Sequence, residues 1–366
     1  MLAALAVASP ALAAGPPRVD AGSYLVVNGK TGEVLAKRNA HARVPIASIT
    51  KLMTVLVALE HVKLTDVVSV QPSAAGVGES SIDLRAGERL TVRDLVKAAL
   101  IQSANDAAYA LAAYAGGGDV SAFVREMNDK ARALRLRDTH FVRPDGLDAP
   151  DEHSSAADVT RLARIAMRNP EIRDTVRERS DTIAGGRTLH TWNDLLGTFR
   201  GLIGVKTGHT GAAGWSEVAA ARRPGLTVYT TILGSPSREQ RNADLAALLR
   251  WGLSRYRVSS VIRPGRTYAH AQAGYGRGPL ELVATSGVRR AVRVDRPLVA
   301  RIAAAAAVEL PVRAGERFGV MRVYSGKRLV VTRPLVAARS IKRPGLAGRV
   351  GFYAGHTLKH IGSWFT

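Results

Sequence analysis

Two periodicities divide the chain. SYLVV and EVLAKR are apolar or alternating, and they flank Asn28-Gly29, whose tolerance of positive φ predicts a β-hairpin. From about Ala47 to Val62 the apolar residues Leu52, Met53, Val55, Leu56, Val57 and Leu59 fall on every side, so the predicted helix is central and buried. LTVRDLVKAALIQSANDAAYALAAYAG reads as two helices broken at Ser103-Ala104-Asn105, with Thr91 as N-cap and Asp94 three residues on. SAFVREMNDKARAL follows as an amphipathic helix. GLIGVKTGHTGAAGWSEVAAARRPGLTVYTTILG is β-branched and broken by glycine, which predicts antiparallel strands. SREQRNADLAALLRWGLSRY closes the region as another amphipathic helix. Helices inserted between an opening hairpin and a closing meander imply an α/β (α+β) layered domain, an antiparallel sheet with a helical cluster, over residues 18–258.

Beyond Val258 the texture changes. RRAVRVDRPLVARI, LPVRAGERFGVMRVYSG and RLVVTRPLVAARSI are short strands punctuated by Gly and Pro, so a small all-β domain is expected over 259–341. Helical periodicity returns over 342–366. Leu346, Val350, Tyr353, Thr357, Leu358, Ile361, Trp364 and Phe365 share one arc of the wheel, and Arg349, His356, Lys359 and His360 share another. Phe352 falls outside the apolar arc. An apolar face, a basic face and terminal aromatics are the pattern of a helix lying in a membrane interface; the competing reading docks the helix on its own protein.

Composition narrows the classes. With 46% hydrophobic residues in 366, two cores can form. The absence of cysteine excludes disulfides, thiolate metal sites and a cysteine nucleophile. A net charge of +22 fits an anionic membrane surface or wall polymer, or solvated arginine-rich faces. The basic residues are scattered and form no zinc-finger, RNA-binding or basic-zipper pattern, so nucleic acid is not an expected partner. Leu2 to Ala8 followed by Ala11-Leu12-Ala13 resembles the core and cleavage site of a signal peptide over residues 1–13, though the first basic residue is Arg18. No apolar run reaches the roughly 18 residues needed to span a bilayer.

Candidate chemistry lies in three short motifs. Ser48 and Lys51 stand at i and i+3 near a helix start, on one face and a turn apart. Burial would favour the neutral amine, which could then take the serine proton. Alone, such a pair arises about once per chain by average residue usage. Ser103 and Asn105 lie in the break between two helices, where they either point into a cleft or cap a helix. Lys-Thr-Gly occurs twice. Lys30-Thr31-Gly32 lies in the hairpin turn and runs into Glu33. Lys206-Thr207-Gly208 lies along a strand and runs into His209-Thr210-Gly211, with no acid nearby in the sequence. Glycine there would let a peptide approach the strand edge, and Lys and Thr would offer donors to a carboxylate. The second copy is the one expected to function.

In the order Ser-x-x-Lys, Ser-x-Asn, Lys-Thr-Gly, these motifs resemble those of penicillin-recognising serine enzymes. The chain is similar to the low-molecular-weight penicillin-binding proteins, the D-alanyl-D-alanine carboxypeptidases. The resemblance extends to GLDAP, SSAADV, NDLL at Asn193 to Leu196, LLRWG and the ending GSWF. It implies a transpeptidase-like catalytic domain, a Ser48 nucleophile with Lys51 as general base, and a second wall of Ser103 and Asn105. Lys206, Thr207, Gly208 and His209 would hold the substrate, with the N–H groups of Ser48 and His209 as oxyanion hole. An arginine, Arg241 or the nearby Arg238, would assist at the carboxylate. It further implies peptidoglycan stem peptides ending in D-Ala-D-Ala as substrates, β-lactams as covalent inhibitors, and no metal or organic cofactor. The setting would be the outer face of the cytoplasmic membrane, anchored through the tail. Ala104 stands where such enzymes commonly carry glycine. A DD-endopeptidase, or a wall- or membrane-binding protein with a relic site, are the alternatives.

Overall fold

A computed structural model describes residues 15–362. Residues 1–14 and 363–366 lie outside the description, and with them the expected signal peptide and Trp364 and Phe365. The chain divides between Ser254 and Arg255 into two compact units.

In the first unit the opening hairpin is β1 (Ser23–Asn28) and β2 (Val34–Arg38), and the closing meander is β3 (Leu202–Thr210), β4 (Gly214–Arg223) and β5 (Leu226–Ser235). They join in one antiparallel sheet of order β2-β1-β5-β4-β3, which leaves β3 at an edge. Five helices frame it: α1 (Lys51–His61), α2 (Asn105–Ala115), α3 (Val120–Ala133), α4 (Ala156–Ala166) and α5 (Arg238–Ser254).

Strand alternation separates the helices into layers. Val228 and Val26 meet Gly252 of α5, where an added Cβ would lie 2.9 Å from either side chain, so glycine lets this helix approach the sheet. Thr231, of opposite parity on β5, hydrogen-bonds Thr160 of α4 at 2.6 Å. The two helices therefore cover opposite faces. Behind α4, α1 packs among α2, α3 and α4, and its residues Lys51 to Ala58 are all buried. Leu52, Met53, Leu95, Leu111, Phe123 and Met127 form the centre of this cluster, each contributing about 1.5–3 kcal/mol of burial.

The second unit is a six-stranded sheet with a two-stranded companion, around Leu280, Leu282, Met321, Val323 and Leu335. A helix over Leu346–Gly362 follows. Its described apolar positions Leu346, Val350 and Tyr353 are 75%, 67% and 60% exposed. Phe352, outside the apolar arc, packs edge-on against Tyr275 with ring centroids 5.8 Å apart. Tyr353 of the apolar arc meets the same Tyr275 ring edge-on at 6.2 Å, so the helix touches its own unit through both aromatics while Leu346 and Val350 stay exposed. Among the described residues no helix is long and apolar enough to cross a membrane.

Candidate active site

The turn before α1 is built under constraint. Ala47–Thr50 is a 3₁₀ turn, and Ala47 holds φ at +50°, a conformation costing a non-glycine residue about 1–2 kcal/mol. Two glycines leave room for it. A side chain at Gly146 would run into the Ala47 carbonyl, and a Cβ at Gly208 of β3 would stand 2.6 Å from the Ile46 carbonyl and 3.2 Å from the Ser48 nitrogen. Gly208 matters here for close approach. Its effect is to set the edge strand directly against Ser48.

The break after residue 97 is equally specific. Thr91 caps the preceding helix through a reciprocal box with Asp94, and a π-turn over Ala98–Gln102 then widens the backbone. Ser103 adopts φ +66° and α2 begins at Asn105. Asn105 is fixed from both sides, its N–H donating to the Ser80 carbonyl (2.7 Å) and its Nδ2 to the Gly78 carbonyl (3.0 Å).

These walls converge on two fully buried lysines. Lys51 Nζ lies 2.7 Å from Ser48 Oγ, 2.6 Å from Asn105 Oδ1 and 2.8 Å from the Asp145 carbonyl oxygen. A neutral amine has two hydrogens and one lone pair. The two carbonyl acceptors take the hydrogens, and the lone pair is left facing the serine hydroxyl. Burial draws the Lys51 pKa down to about 7, against the opposing pull of Asp145, Asp106, Glu152 and Glu79. Lys206 Nζ donates to Ser103 Oγ (2.8 Å) and the Thr207 carbonyl (3.0 Å). Burial first, and the nearby Lys51 second, hold its pKa well below the usual lysine range.

Ser48, Ser103, Thr207, Gly208, His209 and Arg241 line one cavity of about 230 Å³, with Lys51, Asn105 and Lys206 bonded into its walls. All nine candidate residues are therefore brought together. Of the two arginines, Arg241 lines the cavity at 1% exposure, whereas Arg238 pairs with Asp194 (2.8 and 2.5 Å) and covers the Trp192 ring. Arg241 also reaches Asp194 (3.1 Å), which explains the NDLL segment as an anchor for the arginines.

Several residues of the site were not foreseen. Lys206-Thr207-Gly208 has no acid nearby in sequence, yet in space Glu217 is paired with Thr207 across β3 and β4, wholly buried and 3.3 Å from Arg241 Nε. Burial raises its pKa to about 7. Asp145, held by Arg143 through two 3.0 Å bonds, positions the carbonyl that receives Lys51. Glu152 accepts from the Val142 and Arg143 N–H groups and from Thr50, and burial lifts it to about 7. Glu79 and Trp192 also line the cavity, as does Trp215, which stacks on His209 at 4.0 Å.

A hydroxyl faces a buried amine here, opposite a second serine–lysine pair on a sheet edge, and solved structures share the fold that carries them. Penicillin-binding protein 6B from Escherichia coli superposes with TM-score 0.67 at 29% identity, covering 91% of this chain and all of the other. The carboxypeptidase DacD from Francisella tularensis gives 0.66 at 25% identity, covering 92% and 98%. The D-alanyl-D-alanine carboxypeptidase family model matches residues 10–237. DacD of Salmonella typhimurium, a D-alanyl-D-alanine carboxypeptidase, is 32% identical over 95% of both chains. The chain belongs to the D-alanyl-D-alanine carboxypeptidase family.

Proposed function

We propose that this chain removes the terminal D-alanine from peptidoglycan stem peptides ending in D-Ala-D-Ala, through an acyl-enzyme on Ser48. Ser48 Oγ attacks the carbonyl carbon of the penultimate D-alanine while Lys51 Nζ accepts the hydroxyl proton. The peptide C–N bond breaks, and the departing D-alanine takes a proton on its nitrogen. Water then attacks the ester and frees Ser48. The N–H groups of Ser48 and His209 would hold the developing oxyanion, and Lys206, Thr207 and Arg241 the terminal carboxylate. A β-lactam would enter the same cycle and leave Ser48 acylated.

The observation that carries this reading is the set of three short contacts around Lys51 Nζ; in the neutral amine, with Asn105 and Asp145 taking its two hydrogens, the lone pair faces Ser48. Intact mass spectrometry after penicillin exposure, with peptide mapping, tests it. One adduct is expected, on the peptide containing Ser48. Ser48→Ala should lose both the adduct and D-alanine release, and residual labelling would overturn the assignment.

The leader-like sequence over residues 1–13 and the exposed apolar residues Leu346, Val350 and Tyr353 of the last helix support export and peripheral attachment at the outer face of the cytoplasmic membrane. Removing residues 345–366 should move the protein from the membrane fraction to the soluble one. Retention in the membrane would exclude the tail as anchor.

A further inference from the structure

At the end of the sheet away from Ser48, the first Lys-Thr-Gly copy borders a second cavity, of about 430 Å³. It opens where β1 and β4 end and β3 and β5 begin, beside the end of α4. Lys30, Arg164, Arg168, Arg173 and Arg222 line it together with Tyr229, and no carboxylate does. Arg173 has a neighbour in Asp174, 3.3 Å away. Among the described residues the other four cations have no carboxylate within ion-pair distance. Like charges gathered without counter-charge repel, and an exposed surface would ordinarily intersperse acids among them.

The cavity also has a fixed element. Arg164 Nε and Nη2 both donate to the Gly29 carbonyl (3.1 and 3.0 Å), so its guanidinium is held in place before any ligand arrives. Burial, with the like charges of Arg168 and Arg161, lowers the Arg164 pKa. Guanidinium forks match the paired oxygens of phosphate, and several of them around one space favour an anion of more than one charge.

We infer that this cavity is a binding site for a phosphate-bearing anion with two or more negative charges, distinct from the peptidase site. Such phosphate could be free in solution or carried on a lipid headgroup. Binding there would hold the hairpin end of the sheet and need not touch Ser48.

Calorimetric titration of the full-length chain with sodium pyrophosphate at low ionic strength tests this. One site per chain is expected. Arg168→Glu/Arg222→Glu should weaken it by about tenfold or more. Arg289→Glu/Arg290→Glu, an equal charge change on exposed arginines of the second unit, should leave it within about twofold. Lys30→Glu, a change at an exposed turn, should weaken binding in the same direction. Penicillin acylation at wild-type rate certifies that each variant is folded. Absence of pyrophosphate binding, or equal weakening by both double variants, overturns the inference. Co-sedimentation with cardiolipin vesicles, whose headgroup carries two phosphates and two negative charges, against phosphatidylcholine vesicles, identifies the source. If the site variant also lowers vesicle binding, the phosphate is a lipid headgroup. If it lowers only pyrophosphate binding, the phosphate is soluble.

Discussion

Lys30-Thr31-Gly32 and Lys206-Thr207-Gly208 are the same three residues in two environments. In the hairpin, Asn28 organises the turn: its side-chain oxygen accepts from the Lys30 and Thr31 N–H groups, both at 3.0 Å, and its carbonyl accepts from Gly32. Gly32 is needed for its φ of +72°, and Lys30 is exposed. On β3 the roles are reversed. Lys206 is 2% exposed and bonded to Ser103, and Gly208 is needed because Ile46 and Ser48 crowd its α-carbon. Three letters therefore carry no chemistry of their own. Burial and the second wall convert one copy into part of a polar network, while the other remains a turn.

The largest expected effect separates the two lysines. Lys206→Ala removes a buried donor from the Ser103 wall and should slow penicillin acylation by about 10²–10³-fold, the usual cost of losing one preorganised donor. Lys30→Ala should stay within about twofold. Fluorescent penicillin labelling under single-turnover conditions measures both. Comparable losses would mean that position, and not environment, had been misjudged.

The glycines give a smaller and more diagnostic contrast. Gly208→Ala places a methyl 2.6 Å from the Ile46 carbonyl, so the edge strand must withdraw from Ser48 or the strained turn must shift. Displacement approaching an ångström costs about 10²-fold in rate, while the melting temperature should change little beyond the local strain. Gly32→Ala should do the opposite. It loses about 1 kcal/mol of stability through the left-handed φ and keeps its acylation rate. Thermal unfolding alongside labelling resolves the two. A Gly208→Ala enzyme of full activity would show that the close approach is not needed.

How much of this was legible follows from how local each signal is. Asn-Gly between apolar runs announced the hairpin, and apolar residues on every side of Leu52 to Leu59 announced a buried helix. The motif order brought seven of the nine site residues to one pocket because each motif ends an element: a helix start, an interhelical break, an edge strand; His209 and Arg241 came from the family resemblance. Glu217, Glu152 and Asp145 were not legible. Each is a charged residue whose burial depends on partners such as Arg241, Thr50 or Arg143, and hydrophobic periodicity counts such positions as solvated. Glu79 is more remote still. It comes to the cavity on a loop pinned by Asp106, which accepts from the Ile82 and Leu84 N–H groups. Arg241 was foreseen only as one of two arginines, although it shares the buried face of α5 with Leu245, Leu248 and Leu249, at helical spacing. A charge in an apolar stripe signals a buried role.

The smallest effect tests whether burial is what distinguishes the reactive lysine. Lys51 must be neutral to accept the Ser48 proton, and its pKa is lowered to about 7. Acylation should therefore rise about tenfold per pH unit below 7 and level off above it, since only the deprotonated fraction reacts. An unshifted lysine near 10.5 would instead leave the rate climbing through pH 9. The same shift has a stability consequence of opposite origin. Between about 7 and 10.5 the unfolded chain binds a proton that the folded one refuses, so this group's contribution to stability falls as pH drops through that window. Acylation rates by stopped flow across pH 5 to 10, on wild type and Lys30→Ala, should give superimposable profiles with a shoulder near 7. A wild-type rate still rising tenfold per unit at pH 9 would place the proton acceptor elsewhere than on a desolvated Lys51, and the contrast between buried and exposed lysines would lose its physical basis.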